Sequence, residues 1–335
     1  MQIQENISLK AFNTFGINAV AKFFATFSDT ATLSVLVQNA PFSPLILGGG
    51  SNILFTGNYD GLVLKNEIKG IEKINEDDEF VYVKAGAGEN WHQFVLHCIR
   101  HNWGGVENLS LIPGNIGASP MQNIGAYGVE IKEVFFGLEA FHLNDKAIVQ
   151  FGLADCGFGY RESVFKTKYK DQFAILSVTF KLRKSPVFNT SYGAIEQELD
   201  KAGVKDLSVK AISDAVIRIR SAKLPDPAVI GNAGSFFKNP AISNHRFRSL
   251  KTGFPGIVGY PLEDGSVKLA AGWLIEQCGW KGFRKGDAGC HAKQALVLVN
   301  YGNASGKDIY DLSTAILESV NEKFGVQLER EVNII

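Results

Sequence analysis

Hydrophobic positions along the chain follow two periods. Trp91, Phe94, Val95, Cys98 and Ile99 recur at i, i+3, i+4, i+7 and i+8, the stripe of a helix with one apolar face, ending near Asn102. Ile212, Ala215, Val216 and Ile219 mark a second helix over 208–220. A third is predicted over 306–324, with Ser305 and Asp308 as a capping box and Gly325 as its stop. Shorter helices are predicted at 26–39, opened by Ser28 or Asp29, and at 268–278, closed by Gly279. Short apolar runs predict strands at 44–47, 62–64, 80–84, 134–142, 147–151 and 294–300. Leu176, Val178, Phe180 and Leu182 alternate with Ser177, Thr179 and Lys181, the pattern of a strand with one face in solvent. A last strand over 326–335 sets Leu328, Val332 and Ile334 on one face and Gln327, Glu329, Glu331 and Asn333 on the other. Mixed elements without an internal repeat make the chain α+β.

Glycine interrupts this pattern at two informative places. The strand at 44–47 runs into Gly48-Gly49-Gly50-Ser51-Asn52, where positive φ angles let successive N–H groups converge on an anion. This is neither a GxGxxG fingerprint nor a phosphate loop ending in Lys-Ser/Thr. A tight structural turn explains such a run equally well. The second place, 111–128, is a loop too long for a connector. It offers Pro113, Gly114, Gly117, Ala118, Ser119, Gln122, Asn123, Gly125, Ala126 and Tyr127. Two such loops suit a long ligand such as a dinucleotide.

Three further segments carry candidate chemistry. Gly159-Tyr160-Arg161-Glu162-Ser163 places an arginine, able to fork onto a carboxylate or phosphate, after a glycine and an aromatic. Lys223-Leu224-Pro225-Asp226-Pro227 ends the second helix and reads as a hinge. Gly231-Asn232-Ala233-Gly234-Ser235-Phe236-Phe237-Lys238-Asn239-Pro240 sets a serine before two aromatics that can wall off water. Ser235 then reads as a buried donor or nucleophile, against the plainer reading of a strand-to-turn segment. It lacks the G-x-S-x-G elbow and a neighbouring histidine base.

Bulk properties narrow the classes. A chain of 335 residues accommodates two or three domains. Its 34 basic and 34 acidic residues balance, which argues against a general nucleic-acid binder and leaves room for a local phosphate pocket. Residues 1–16 show no basic start followed by an apolar run, and no stretch approaches the length of a membrane span, so a cytoplasmic protein is expected. The four cysteines, Cys98, Cys156, Cys278 and Cys290, form no CxxC and are expected as free thiols. Cys290 and His291 are adjacent and would face opposite sides of a strand, so they do not make a thiol–imidazole pair. His97 and His101 stand at i,i+4 without HExxH, so a solvated helix face is expected and no metal site.

Taken in order, Leu-Ile-Pro-Gly-Asn-Ile-Gly-Ala-Ser-Pro-Met-Gln-Asn-Ile-Gly-Ala-Tyr-Gly (111–128), Phe-Gly-Tyr-Arg-Glu-Ser-Val-Phe-Lys (158–166), Lys-Leu-Pro-Asp-Pro (223–227), the 231–240 segment and Leu-Glu-Arg-Glu-Val (328–332) resemble the UDP-N-acetylenolpyruvoylglucosamine reductase family over nearly the whole chain. Tyr-Gly at 192–193 looks like the subtype that closes a tyrosine-bearing loop over substrate. The chain stops four residues after Glu331, without the tail some members carry. The resemblance implies an FAD-binding module of the vanillyl-alcohol-oxidase (PCMH) type in two subdomains, 1–66 and 67–222. A smaller α+β substrate-binding domain over 223–330 and a C-terminal end, 331–335, returning to the active site complete the implied organisation. Ser51 stands where related covalent oxidases often carry histidine, which implies non-covalent FAD.

The implied reaction reduces UDP-N-acetylglucosamine enolpyruvate to UDP-N-acetylmuramate in peptidoglycan precursor synthesis. NADPH is the implied hydride source, hydride passes from flavin N5 to C3, and a proton reaches C2. By resemblance, Ser235 donates that proton, Arg161 pairs with the substrate carboxylate, and Glu331 completes the site, either protonated or bridged through a donor, with a raised pKa expected. Tyr160, Tyr192, Lys223, Asn239 and Gln294 map onto the sugar-nucleotide site, and Tyr127 onto the flavin side. NADPH and the sugar nucleotide are expected to use one pocket in turn, which fits the lack of a separate nicotinamide-nucleotide fingerprint. A monomer is expected. Two other readings stand beside this one: a flavin-dependent alcohol or sugar oxidase of the same fold, and a nucleotide-binding regulatory protein. The 231–240 segment argues against the oxidase, and the complete catalytic set argues against the regulator.

Overall fold

The computed structural model describes residues 2–38, 40 and 43–335. By contact the chain divides into two compact units. The first comprises the residues up to Ile7 with Ala21–Gly50 and Asp60–Ala222; the second comprises Ser8–Val20, Ser51–Tyr59 and Lys223–Ile335.

The first unit holds two sheets. One has four strands in the order Gln4–Ser8, Val20–Phe27, Tyr59–Asn66 and Leu45–Leu47, the last two parallel, with Leu45 opposite Val63. The other is antiparallel, in the order Ile148–Gly152, Phe135–His142, Phe173–Arg183, Phe80–Gly86 and Ile71–Glu76. The helix Trp91–Arg100 lays its apolar stripe on this sheet, capped by Asn90, whose side chain accepts from the Gln93 N–H. Trp91, Phe94 and Phe180 meet there with ring centroids 4.7–5.8 Å apart. The Trp91 Nε1–H donates to the Leu109 carbonyl at 2.8 Å, so the polar edge of this buried ring is satisfied. A separate cluster joins Ile195 and Leu199 of the helix Gly193–Lys201 to Ile212, Val216 and Ile219 of the helix Val209–Lys223.

In the second unit the strand Gly231–Ser235 pairs with Val297–Asn300, which pairs in turn with Ala288–Cys290 and then Arg284–Lys285. The helix Gly306–Phe324 carries the expected Ser305/Asp308 capping box and ends on Gly325 at φ 60°. Gly306 is required by closeness, since a Cβ there would lie 1.7 Å from the Phe55 carbonyl oxygen.

Several expectations need correction. The first helix begins at Thr30 because Thr26 and Phe27 belong to the strand Val20–Phe27; Asp29 accepts from the Thr32 N–H at 2.7 Å, and Asn39 lies outside the described residues. Lys268 and Leu269 are strand, Ser266–Leu269, and the helix is only Ala271–Gln277. The strand Phe173–Arg183 does not present Ser177 and Thr179 to solvent. Both are buried, because the strand is central between Phe135–His142 and Phe80–Gly86. The Ser177 hydroxyl donates to Glu139, which also takes the Lys84 ammonium at 2.6 Å. The run 326–335 is not one strand. Only Asn333–Ile334 is, parallel to Ile53–Leu54. The helices Gly193–Lys201 and Asn244–Gly253 escaped the periodicity reading.

Candidate active site

Two glycine loops meet backbone to backbone in the first unit. A Cβ on Gly49 would lie 2.9 Å from the Gly114 Cα and 2.9 Å from the Asn115 Oδ1. Gly50 and Gly114 have φ angles of 64° and 113°, which only glycine adopts freely. Gly117 presses on Ala87, 2.7 Å from a built Cβ, while its N–H donates to the Ala87 carbonyl. This is a cradle that side chains would fill, the shape a dinucleotide pyrophosphate needs. The loop is held from below by its own polar residues. The buried Ser119 hydroxyl donates to the Ile116 carbonyl. The buried Asn123 amide donates to Glu130 at 2.8 Å and to the Gly159 carbonyl at 3.0 Å, and its oxygen accepts from the Lys132 N–H. Ser119 and Asn123, read from the sequence as cofactor-side positions, use these side-chain bonds to set the shape of the loop. Pro113, Gln122 and Ala126 lie along the same half-buried loop and Ala118 is exposed on it.

Asn123 also fixes the turn that carries Arg161. Gly159 and Glu162 pair across it, Arg161 has a φ of 56°, and its Nη2 donates to the Gly125 carbonyl at 2.5 Å. A Cβ on Gly125 would lie 2.9 Å from the Val129 carbonyl oxygen and 3.0 Å from the Arg161 Nη1, so the guanidinium packs closely on this glycine. The Tyr160 ring lies 5.3 Å from the guanidinium.

At the far end of the loop, Tyr127 (φ 51°) meets Tyr192 edge to face at 5.2 Å. Asn108 ties this corner together, donating to the carbonyls of Tyr127 and Asn189; Asn189 donates to the Gly128 carbonyl. The Arg220 guanidinium donates to the Leu111 carbonyl at 3.3 Å and lies beside the Tyr127 phenol. Burial holds Arg220 below its ordinary pKa and pushes the Tyr127 phenol up. His92 is lowered by burial and by Arg220, and its Nδ1 accepts from the Leu111 N–H. Leu111, at φ 60°, is therefore pinned on both sides. Asn108, His92 and Arg220 were missed by sequence reading. Arg220 lies one position past the apolar stripe, where helical spacing alone makes it a surface residue.

The second unit brings Ser235 and Glu331 to adjacent backbones. The Phe236 N–H donates to the Leu296 carbonyl, the Glu331 N–H donates to the Phe236 carbonyl at 2.8 Å, and Phe237 pairs with Arg330. Gly234 (φ 70°) makes the irregularity that turns Ser235 outward, with its N–H on the buried Asn232 side chain. Ser235 is exposed, not buried as the sequence suggested, and Phe236 and Phe237 are fully buried beneath it with ring centroids 5.3 Å apart. Asn52 sits at the Glu331 end: its Nδ2 donates to the Glu331 carbonyl and its own carbonyl accepts from Asn333. Asn239 and Gln294 converge on one turn. The Asn239 Oδ1 accepts from the Ala271 N–H at 2.9 Å, and the Gln294 Oε1 lies 3.1 Å from a Cβ built on Gly272. Lys223 is exposed at the end of its helix and Tyr192 is half exposed.

Other candidates stay apart from this chemistry. The Cys290 thiol donates to the Ala295 carbonyl and burial pushes it up to about 12, so it makes no pair with His291. His97 and His101 stack with Trp103, and among the described residues no cluster of His, Cys, Asp and Glu could hold a metal ion.

Comparison with known proteins matches these parts. Residues 22–149 match an FAD binding domain, and residues 226–335 match the C-terminal domain of UDP-N-acetylenolpyruvoylglucosamine reductase. The chain is 52% identical to the UDP-N-acetylenolpyruvoylglucosamine reductase of Amoebophilus asiaticus and 51% identical to that of Flavobacterium johnsoniae, in each case over the whole of both chains. The crystal structure of the Thermus caldophilus enzyme of that name superposes with a TM-score of 0.69 at 25% identity, covering 100% of this chain and 99% of that one.

Proposed function

This chain belongs to the UDP-N-acetylenolpyruvoylglucosamine reductase family, and we propose that it reduces UDP-N-acetylglucosamine enolpyruvate to UDP-N-acetylmuramate for peptidoglycan precursor synthesis. Bound FAD, reduced by NADPH, supplies the hydride that the enolpyruvyl double bond accepts. The Gly48–Gly50 and 113–127 loops fit that cofactor, because their backbones approach within a distance no side chain tolerates. Ser51 beside Gly50 offers no imidazole for covalent attachment, in keeping with non-covalent FAD.

The remaining tasks fall to side chains. Ser235 donates the proton to C2 of the substrate. A hydroxyl is a weak acid, so this step needs a strongly basic carbon and a dry surface; the buried Phe236 and Phe237 floor supports the second. Arg161 forks onto the substrate carboxylate, where negative charge grows as hydride arrives. Its left-handed backbone and its bond to Gly125 preset that fork. Glu331 completes the site, where it faces the substrate carboxylate either protonated or bridged through a donor, since two bare carboxylates repel. Lys223, Tyr192, Tyr160, Asn239 and Gln294 hold the sugar nucleotide. Asn239, whose oxygen is taken by Ala271, offers its NH2 group.

The observation that carries this reading is the backbone pairing that sets Glu331 beside Phe236, the neighbour of Ser235. Stopped-flow absorbance tests it: NADPH bleaches the bound flavin, and the enolpyruvyl sugar, not oxygen, restores it. Rapid restoration by oxygen alone favours the oxidase reading. We further propose a cytoplasmic monomer that binds no nucleic acid, in line with the balanced charge. Among the described residues no helix is long and apolar enough to cross a membrane.

A further inference from the structure

Arg330 lies between two acidic residues and turns away from both. Its Nε donates to the Ser313 hydroxyl at 2.8 Å and its Nη2 to the Thr314 hydroxyl at 2.7 Å, both on the helix Gly306–Phe324. The guanidinium lies 4.4 Å from the Tyr310 ring centroid on that helix. Ser313 and Thr314 donate their own protons to the Tyr310 carbonyl, so their oxygens are oriented to accept. Arg330 is thus fixed on three points of a capped, nineteen-residue helix. Its backbone pairs with Phe237, and the flanking bonds run from Lys238 N–H to the Glu329 carbonyl and from Glu331 N–H to the Phe236 carbonyl.

This arrangement gives Arg330 a role that surface charge does not explain. The segment around Glu331 is not a continuous strand, and beyond it Asn333–Ile334 pairs with Ile53–Leu54. To the backbone pairing with 236–238 and the Asn52 amide, Arg330 adds a side-chain anchor on the helix. We propose that Arg330 is a positioning residue for the reaction: it locks the 329–331 segment to the helix and so fixes Glu331 relative to the Ser235–Phe236 backbone. The inference rests on the reading of Glu331 as part of the catalytic set. Arginine suits the task because its planar fork reaches two hydroxyls and stacks on a ring at once, which lysine cannot do.

The test uses the holoenzyme and separates the two half-reactions. Arg330→Gln is expected to leave NADPH-driven flavin reduction unchanged. With the enolpyruvyl sugar it is expected to lower kcat about 10- to 100-fold with little change in KM, the signature of a misplaced group. Thr314→Val keeps the Ser313 contact and serves if Arg330→Gln does not fold; a smaller loss of the same selectivity is expected. Combining the two should be far from additive, since both break one contact. Equal losses in both half-reactions, a change in KM alone, or no change beyond a lower melting temperature overturns the inference. Glu331→Gln, measured alongside, separates the failures. If it is slow with the sugar while Arg330→Gln is normal, only the positioning role falls. If it runs at wild-type rate, the reading of Glu331 falls and the inference with it.

Discussion

The Glu331 N–H donates to the Phe236 carbonyl across 2.8 Å, and Phe236 follows Ser235 directly. One backbone hydrogen bond therefore links the proposed acid to its proposed partner, although 95 positions separate Phe236 from Glu331 in the sequence. The neighbouring rung from the Lys238 N–H to the Glu329 carbonyl ties the same two segments, so damage at either segment reaches the other.

Arg161→Lys should be severe. Lysine has no planar fork and cannot both donate to the Gly125 carbonyl and pair with a carboxylate in the same geometry. Loss of one preorganised charge partner costs about 10²–10³ in kcat. Steady-state kinetics with the enolpyruvyl sugar checks this, and wild-type turnover would remove Arg161 from the site.

Gly49→Ala should weaken FAD binding while the rest of the unit stays folded. The added Cβ would meet the Gly114 Cα at 2.9 Å, where backbone must move. Overpacking of this sort costs about 1–3 kcal/mol, roughly 5- to 150-fold in affinity. Flavin content after purification and a titration with FAD measure it. An unchanged dissociation constant would mean that the two loops do not form the cradle.

These positions show what was legible in the sequence. The helix stripe Trp91–Ile99, the capping box at Ser305 and the two glycine loops were legible because local spacing determines them. The burial of Ser177 and Thr179 was not, because alternation reports a polar face and cannot report what covers it; their hydrogen bonds inside the sheet are tertiary. The helix–strand boundaries near Phe27 and Leu269 moved because strand pairing overrode local propensity. In the site, motif matching proposed Ser235, Arg161 and Glu331, and it could not report that the Ser119 and Asn123 side chains hold the loop itself. Arg220, His92 and Asn108 escaped because each acts through a backbone group distant in sequence.

Gly306→Ala should destabilise the protein without touching the chemistry. The new methyl would overlap the Phe55 carbonyl, a backbone group with no rotamer to escape into. A loss at or above the upper end of the usual overpacking range, about 3 kcal/mol, is expected. Thermal or urea unfolding reads it, and unchanged stability would contradict the close approach.

Thiol chemistry gives a pH test. Burial pushes Cys156 and Cys290 up to about 12 and raises Cys98 as well, while Cys278 is only half-buried. Below pH 9 all should be protonated and slow toward a thiol reagent, with Cys278, the most accessible of the four though also raised by burial, reacting first. The native state binds thiol protons that the unfolded chain releases from about pH 9 upward. Stability should therefore be flat below that and fall between pH 9 and 12. Rapid labelling of several thiols in the native protein at neutral pH would contradict the burial.

The most direct measurement is stopped-flow flavin absorbance on Ser235→Ala. NADPH should bleach the flavin at the wild-type rate, because Ser235 takes no part in that step. Return of the absorbance on adding the enolpyruvyl sugar should slow by about 10²–10⁴, the usual worth of a general acid. A variant that reoxidises with the sugar at the wild-type rate would contradict the assignment of Ser235 as the proton donor.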